Sequence, residues 1–178
     1  AGQKMLVKGT NDAIGYMSDE EGEYVGNYFY SEDKYFVSGN IMSLLYGDSF
    51  ADKFHLSQEN VGAFCCLFSD YWEGRTENAV DIHPVSPLVL PATTLADGCY
   101  RYMFLGCTSL TSAPELPATT LASNCYRSMF SGCTSLNYVK CLATNISASN
   151  SHANWLNGVA ATGTFVKAAG MTGWPSGA

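Results

Sequence analysis

Twelve residues, CYRYMFLGCTSL from Cys99 to Leu110, return as CYRSMFSGCTSL from Cys125 to Leu136, changed at two places and displaced by 26. Extended in both directions, LPATTLADGCYRYMFLGCTSLTSAPE (Leu90 to Glu115) and LPATTLASNCYRSMFSGCTSLNYVKC (Leu116 to Cys141) agree at 17 of 26 positions. A period of this length is that of leucine-rich-type solenoids, whose units bury their apolar face only against neighbouring units. Two copies alone are too few for such an array, so degenerate copies are expected on either side. Moving Met129, Phe130 and Gly132 forward by 26 lands on Trp155, Leu156 and Gly158, and Phe64 to Phe68 (FCCLF) matches Tyr100, Met103 and Phe104 with ten residues to spare. The surplus falls in DYWEGRTENAVDIHPVSP, which is expected to be a loop that leaves the core.

Inside each unit, Thr94 reads as an N-cap with Asp97 at the capping-box position, and Gly106 is placed to end a helix. At about 100° per residue, Leu95, Ala96, Cys99, Tyr100, Met103 and Phe104 share one arc, the buried face. Positions 97, 98, 102 and 105, where the copies differ, fall on the opposite arc, with the identical Arg101 and Arg127 beside them. Those two arginines are read as solvated, Arg101 paired with Asp97, or as an anion or ring-stacking pair. The other half of the unit, CTSLTSAPELP, is short, rich in Thr and Ser and closed by prolines, as a strand with a tight turn would be. Here the copies vary in chemistry: Thr111 and Ser112 become Asn137 and Tyr138, and Pro114 becomes Lys140. Thr111, Ser112, Asn137, Tyr138 and Lys140, together with Trp72 and Arg75 of the surplus segment, are the candidate ligand contacts, since they combine rings, hydrogen-bonding groups and cations.

Composition narrows the function. Nine basic against 16 acidic residues give a net charge of −7, which leaves no basic surface for nucleic acid. The acidic runs Ser18–Tyr24 and Ser31–Lys34 lie among Gly and Ser, read as solvated loop tips, and do not match an EF-hand loop. No stretch is apolar for long enough to span a membrane, and AGQKMLVKG is not a signal peptide, so an export signal, if used, lies outside this chain. Seven cysteines, two pairs of them in register (Cys99 and Cys125, Cys107 and Cys133), lack the close pairs zinc favours and read first as buried free thiols, with disulfides the alternative. His55, His83 and His152 sit in unrelated contexts without a nucleophile elbow, HExxH or phosphate loop, so neither catalysis nor a cofactor is expected.

The repeat units, preceded by SGNIMSLLYGDSF and followed by CLATNISASNSHANWLNGVAATGTFVK, resemble the BspA-like leucine-rich repeat surface proteins of Bacteroides type, over about Val37 to Trp174. The resemblance implies a right-handed solenoid on an exported or surface-displayed protein linked to adhesion, with no catalytic residues. The expected fold is thus an α/β repeat, a short leucine-rich-type solenoid with a strand and a short helix per 26-residue unit. An N-terminal antiparallel β cap, or the end of a preceding domain, is expected over 1–40 from KMLVK, GEYVGNYFY and KYFVSGN. The solenoid follows over 41–162 with an insertion at about 71–87, then a C-terminal cap over 163–178 with GTFVK as closing strand. The expected function is a cell-surface or extracellular module that binds a protein or glycan. A structural spacer in a larger surface or fibre protein and a polysaccharide-processing enzyme using the insertion are the alternatives.

Overall fold

The computed structural model describes residues 5–9, 15–17, 24–26, 28–31, 33–69, 79–83 and 85–174. Its repeat units are built from turns. Over Gly98–Cys107 the amides of Cys99, Arg101, Met103, Leu105 and Cys107 each donate to the carbonyl three residues back, at 3.0–3.4 Å. The amides between them, of Gly98, Tyr100, Tyr102, Phe104 and Gly106, donate instead to Ser123, Cys125, Arg127, Met129 and Ser131 of the next copy, at 2.8–3.1 Å. The second copy treats the third in the same way, from Asn124 N–H to Ser149 carbonyl through Gly132 N–H to Asn157 carbonyl. Upstream, Gly62, Phe64, Cys66 and Phe68 donate to Asp97, Cys99, Arg101 and Met103. Each copy is therefore a ribbon of turns lying against the next.

The strand-plus-helix solenoid expected from the period is not what this chain forms. Among the described residues the α-helix is α1 (Ser43–Tyr46), four residues long and outside the clean copies, and the strands form separate two-stranded sheets. The reason lies in the backbone: φ is positive at Gly98, Tyr102 and Gly106, at Asn124, Ser128 and Gly132, and at Asn150, Asn154 and Gly158. A left-handed residue at every fourth position cannot continue a right-handed helix. Thr94 and Asp97 consequently cap nothing; Asp97 Oδ1 accepts from Asn124 Nδ2 at 3.3 Å, across the copies. A four-residue period drifts only about 40° per turn on a helical wheel, so over three turns it imitates an amphipathic helix.

The inward set is nevertheless the one the wheel selects: Leu95, Ala96, Cys99, Tyr100, Met103 and Phe104 are buried, and Cys125, Tyr126, Met129 and Phe130 repeat them. Their rings form two columns across the copies. One runs Phe64, Tyr100, Tyr126, Trp155 and Trp174 with centroid spacings of 5.6, 6.2, 6.2 and 4.9 Å, all near parallel. The other runs Phe29, Phe68, Phe104 and Phe130 at 5.9, 5.2 and 5.6 Å and meets Trp155 at 6.5 Å. Burying each ring is worth about 1.5–3 kcal/mol, and the offset contact adds about 0.5–1.5.

The strands flank these ribbons. β1 (Gly15–Met17) and β2 (Tyr24–Gly26) are antiparallel. β3 (Tyr35–Val37) and β4 (Gly39–Asn40), expected to complete an N-terminal antiparallel sheet, pair in parallel with β5 (Val80–Ile82) and β6 (Leu88–Val89). KMLVK is no strand over its described residues, although Gly9 is tied by Ser43 carbonyl and Gly47 amide. Residues 80–82 lie within the segment expected to leave the core, yet Val80 is fully buried there. Alternating apolar residues with a pairing partner made this part of the surplus a strand. β7 (Tyr138–Cys141) pairs in parallel with β8 (Thr164–Lys167), the GTFVK segment.

Candidate functional site

On the strand side, Ser112 bridges in parallel to Tyr138, which in turn faces Thr164 of β8. The amide of Asn137 donates to Thr111 carbonyl at 3.1 Å and that of Ala113 to Tyr138 carbonyl at 2.9 Å. This pairing places Thr111, Ser112, Asn137, Tyr138 and Lys140 on adjoining rungs. Along β7 burial alternates, so Val139 and Cys141 point inward while Tyr138, 38% exposed, and Lys140 point out. Five of the seven candidate contacts are thus brought together. Trp72 and Arg75 lie outside the described residues.

Two of the five are partly engaged by the protein itself. Lys140 Nζ sits 2.9 Å from Glu115 Oε2 of the preceding copy, and the bonded carboxylate raises its pKa above the usual lysine value. Thr111 gives its amide (3.3 Å) and hydroxyl (3.4 Å) to Asp81 Oδ1, whose second oxygen is 3.2 Å from Lys34 Nζ. Asp81 also accepts from Ile82 amide at 2.8 Å. A buried carboxylate with this many donors clamps β5 to the first copy. Ser112, Asn137 and Tyr138 are left as the outward polar and aromatic groups of the patch. Asp81 was not legible as a structural residue, because Thr111 and Lys34, the partners that make it a clamp, stand 30 and more positions away.

The arginines differ from expectation. Arg101, placed outside on the wheel, is 8% exposed, with its guanidinium 4.9 Å from the Tyr102 ring centroid and Nη2 3.4 Å from Tyr102 hydroxyl. Tyr102 is the left-handed residue, and its turn folds the ring back over its neighbour. Position 102 is Ser128 in the next copy, where Arg127 is less buried.

All seven cysteines are buried thiols outside any disulfide. Cys107 donates to Phe68 carbonyl at 3.2 Å and Cys133 to Phe104 carbonyl at 3.0 Å, one copy upstream in each case. Burial pushes Cys99 well above the ordinary thiol value, Cys125 up to about 12 and Cys141 up to about 11. The Cys65 and Cys66 sulfurs are 3.6 Å apart, and that hydrogen bond, then burial, raises Cys65. Burial keeps these four thiols protonated at neutral pH, the form that is the weaker nucleophile. Among the described residues no group of three or more His, Cys, Asp and Glu is placed to hold a metal, and no helix is long and apolar enough to cross a membrane. No family model, curated protein or solved structure matches the chain.

Proposed function

We propose that this chain is a non-catalytic binding module, displayed at the cell surface or outside the cell, that offers the patch around Tyr138 to a protein or glycan. The observation carrying this reading is the coincidence of variation and exposure. Thr111, Ser112, Asn137, Tyr138 and Lys140 change chemistry between otherwise near-identical copies, and they adjoin on one strand surface. A ring flanked by amide and hydroxyl groups suits contact surfaces. The BspA-like resemblance of the repeat supports the location and the link to adhesion.

Screening the chain against protein and glycan arrays tests the proposal, followed by two variants. Tyr138→Ala is expected to weaken a measured interaction by about tenfold or more, as loss of a central aromatic contact does. Tyr102→Ser with Leu105→Ser, which installs the second copy's residues on the turn side, is expected to leave it unchanged. The opposite pattern would place the contact on the turn ribbons and defeat the proposal.

A further inference from the structure

Each ribbon of turns has a donor edge and an acceptor edge. In the two clean copies every second amide, from Gly98 to Gly106 and from Asn124 to Gly132, donates to a carbonyl of the following copy. The ribbon from Asn150 to Gly158 has no such neighbour among the described residues. Its corresponding amides, those of Asn150, His152, Asn154, Leu156 and Gly158, find no acceptor there.

The last of these open amides follows an asparagine. Asn157–Gly158 is the single Asn-Gly step of the chain, and both residues are exposed. The Asn157 side chain holds no hydrogen bond among the described residues, so its amide carbon is held away from nothing. Glycine brings no Cβ to hinder its own nitrogen from approaching the preceding side chain. Gly106 and Gly132 occupy the same place in the clean copies, but their amides donate to Ser131 and Asn157 carbonyls at 2.8 Å. The residues before them, Leu105 and Ser131, carry no side-chain amide to attack. The other asparagines of the ribbons are protected from the opposite side. The amides that follow Asn124, Asn150 and Asn154 close turns on the carbonyls of Ala122, Ala148 and His152 at 3.2–3.4 Å. Only at the last turn do an unbonded side-chain amide and an unbonded glycine nitrogen adjoin.

We propose that Asn157 is a site of spontaneous deamidation, a covalent modification whose only co-reactant is water. Gly158 nitrogen attacks Asn157 Cγ and the Cγ–Nδ2 bond breaks. Nδ2 leaves as ammonia, taking the proton that Gly158 nitrogen gives up, and a cyclic succinimide closes. Water then opens the ring in one of two ways. Addition at Cγ restores the original backbone with an aspartate side chain. Addition at the Asn157 main-chain carbonyl carbon leaves the backbone running through Cβ and Cγ, as isoaspartate. In both, the oxygen and one hydrogen of water go to the new carboxyl group and the other hydrogen to Gly158 nitrogen, so nothing is oxidised or reduced. Either product places a negative charge where the chain has none, since residues 116–178 contain no Asp or Glu. Isoaspartate also converts the carbonyl that accepts from Gly132 amide into a free carboxylate, at the final rung between the second and third ribbons.

The full chain would be aged at body temperature in neutral and in mildly alkaline buffer. Ammonia release, peptide mass mapping and enzymatic methylation of isoaspartate would be followed together. Conversion is expected at position 157 ahead of 124, 150 and 154, and faster at the higher pH because the attacking nitrogen must lose its proton. Asn157→Ser, which installs the second copy's residue at that place, is expected to stay folded and to abolish the early release of ammonia. Should that variant fail to fold, the wild-type mass map still locates the site. An amide intact at 157 when 124, 150 or 154 has converted, no conversion at all, or release from a folded Asn157→Ser chain at the wild-type rate would each overturn the proposal.

Discussion

Single residues here take their roles from neighbours far along the chain. Arg101 lies over Tyr102 instead of in solvent, and Thr111 serves Asp81 before it can serve a ligand. Met129, by contrast, keeps the inward role its place between Tyr126 and Phe130 suggests, and it is fully buried. Met129→Asp would put a carboxylate into the buried apolar cluster, at a cost of several kcal/mol, on the order of the whole stability of a domain, about 5–15 kcal/mol. Urea denaturation is expected to show the variant largely unfolded in buffer. A cooperative transition close to wild type would mean that position 129 does not face the core.

At the scale of the element, the ribbon of turns and the helix it replaces make opposite demands on one residue. Asn124 has φ of 54°, and its counterparts are Gly98 and Asn150. In a helix interior Asn124→Gly would be destabilising by a few tenths of a kcal/mol, whereas in a left-handed position glycine carries no Cβ penalty. Asn124→Gly, which gives up the Asp97 hydrogen bond but no backbone preference, is thus expected to lower stability by no more than about 1 kcal/mol, and Asn124→Val by about 1–2 kcal/mol beyond that. The reverse order would restore the helix. The signal was present in the sequence: Gly or Asn at 98, 124 and 150, and Gly at 106, 132 and 158. At Gly132 it is the positive φ of 76° that favours glycine, since a Cβ there would meet Gly106 Cα at an ordinary contact distance of 3.5 Å.

Across the whole molecule, the buried thiols couple stability to alkaline pH. Cys125 is raised from 9.0 to about 12 and Cys141 to about 11, chiefly by burial. Above pH 9 the unfolded chain releases these protons while the folded chain keeps them, so unfolding is favoured increasingly as pH rises through the folded values. Each thiol weighs up to about 1.4 kcal/mol per pH unit in that window. Melting temperature is expected to be flat near pH 7–8 and to fall steadily between about pH 9 and 11. A profile that stays level to pH 11 would show that the thiols ionise in the folded protein and are not enclosed.

Much of the internal arrangement was legible because burial follows the order of apolar and polar side chains. The alignment of copies, the inward set from Leu95 to Phe104, and Trp155 as a successor to Met129 all come from that order, whatever backbone carries it. The side-by-side position of Thr111, Ser112, Asn137, Tyr138 and Lys140 follows from the same alignment. What the order of residues left open is the destination of alternate amides. The amide of Tyr100 could close a helical turn on Ala96 or reach Cys125 in the next copy, and it does the second. Both bonds are local in strength and alike in chemistry; only the presence of a neighbouring ribbon at hydrogen-bonding distance separates them. The same holds for Asp81 and Thr111, and for the parallel pairing of β3 with β5: each depends on two distant segments meeting. Sequence by itself determined which side chains must leave water and at what interval they recur, and the tertiary structure decided which backbone path carries them there.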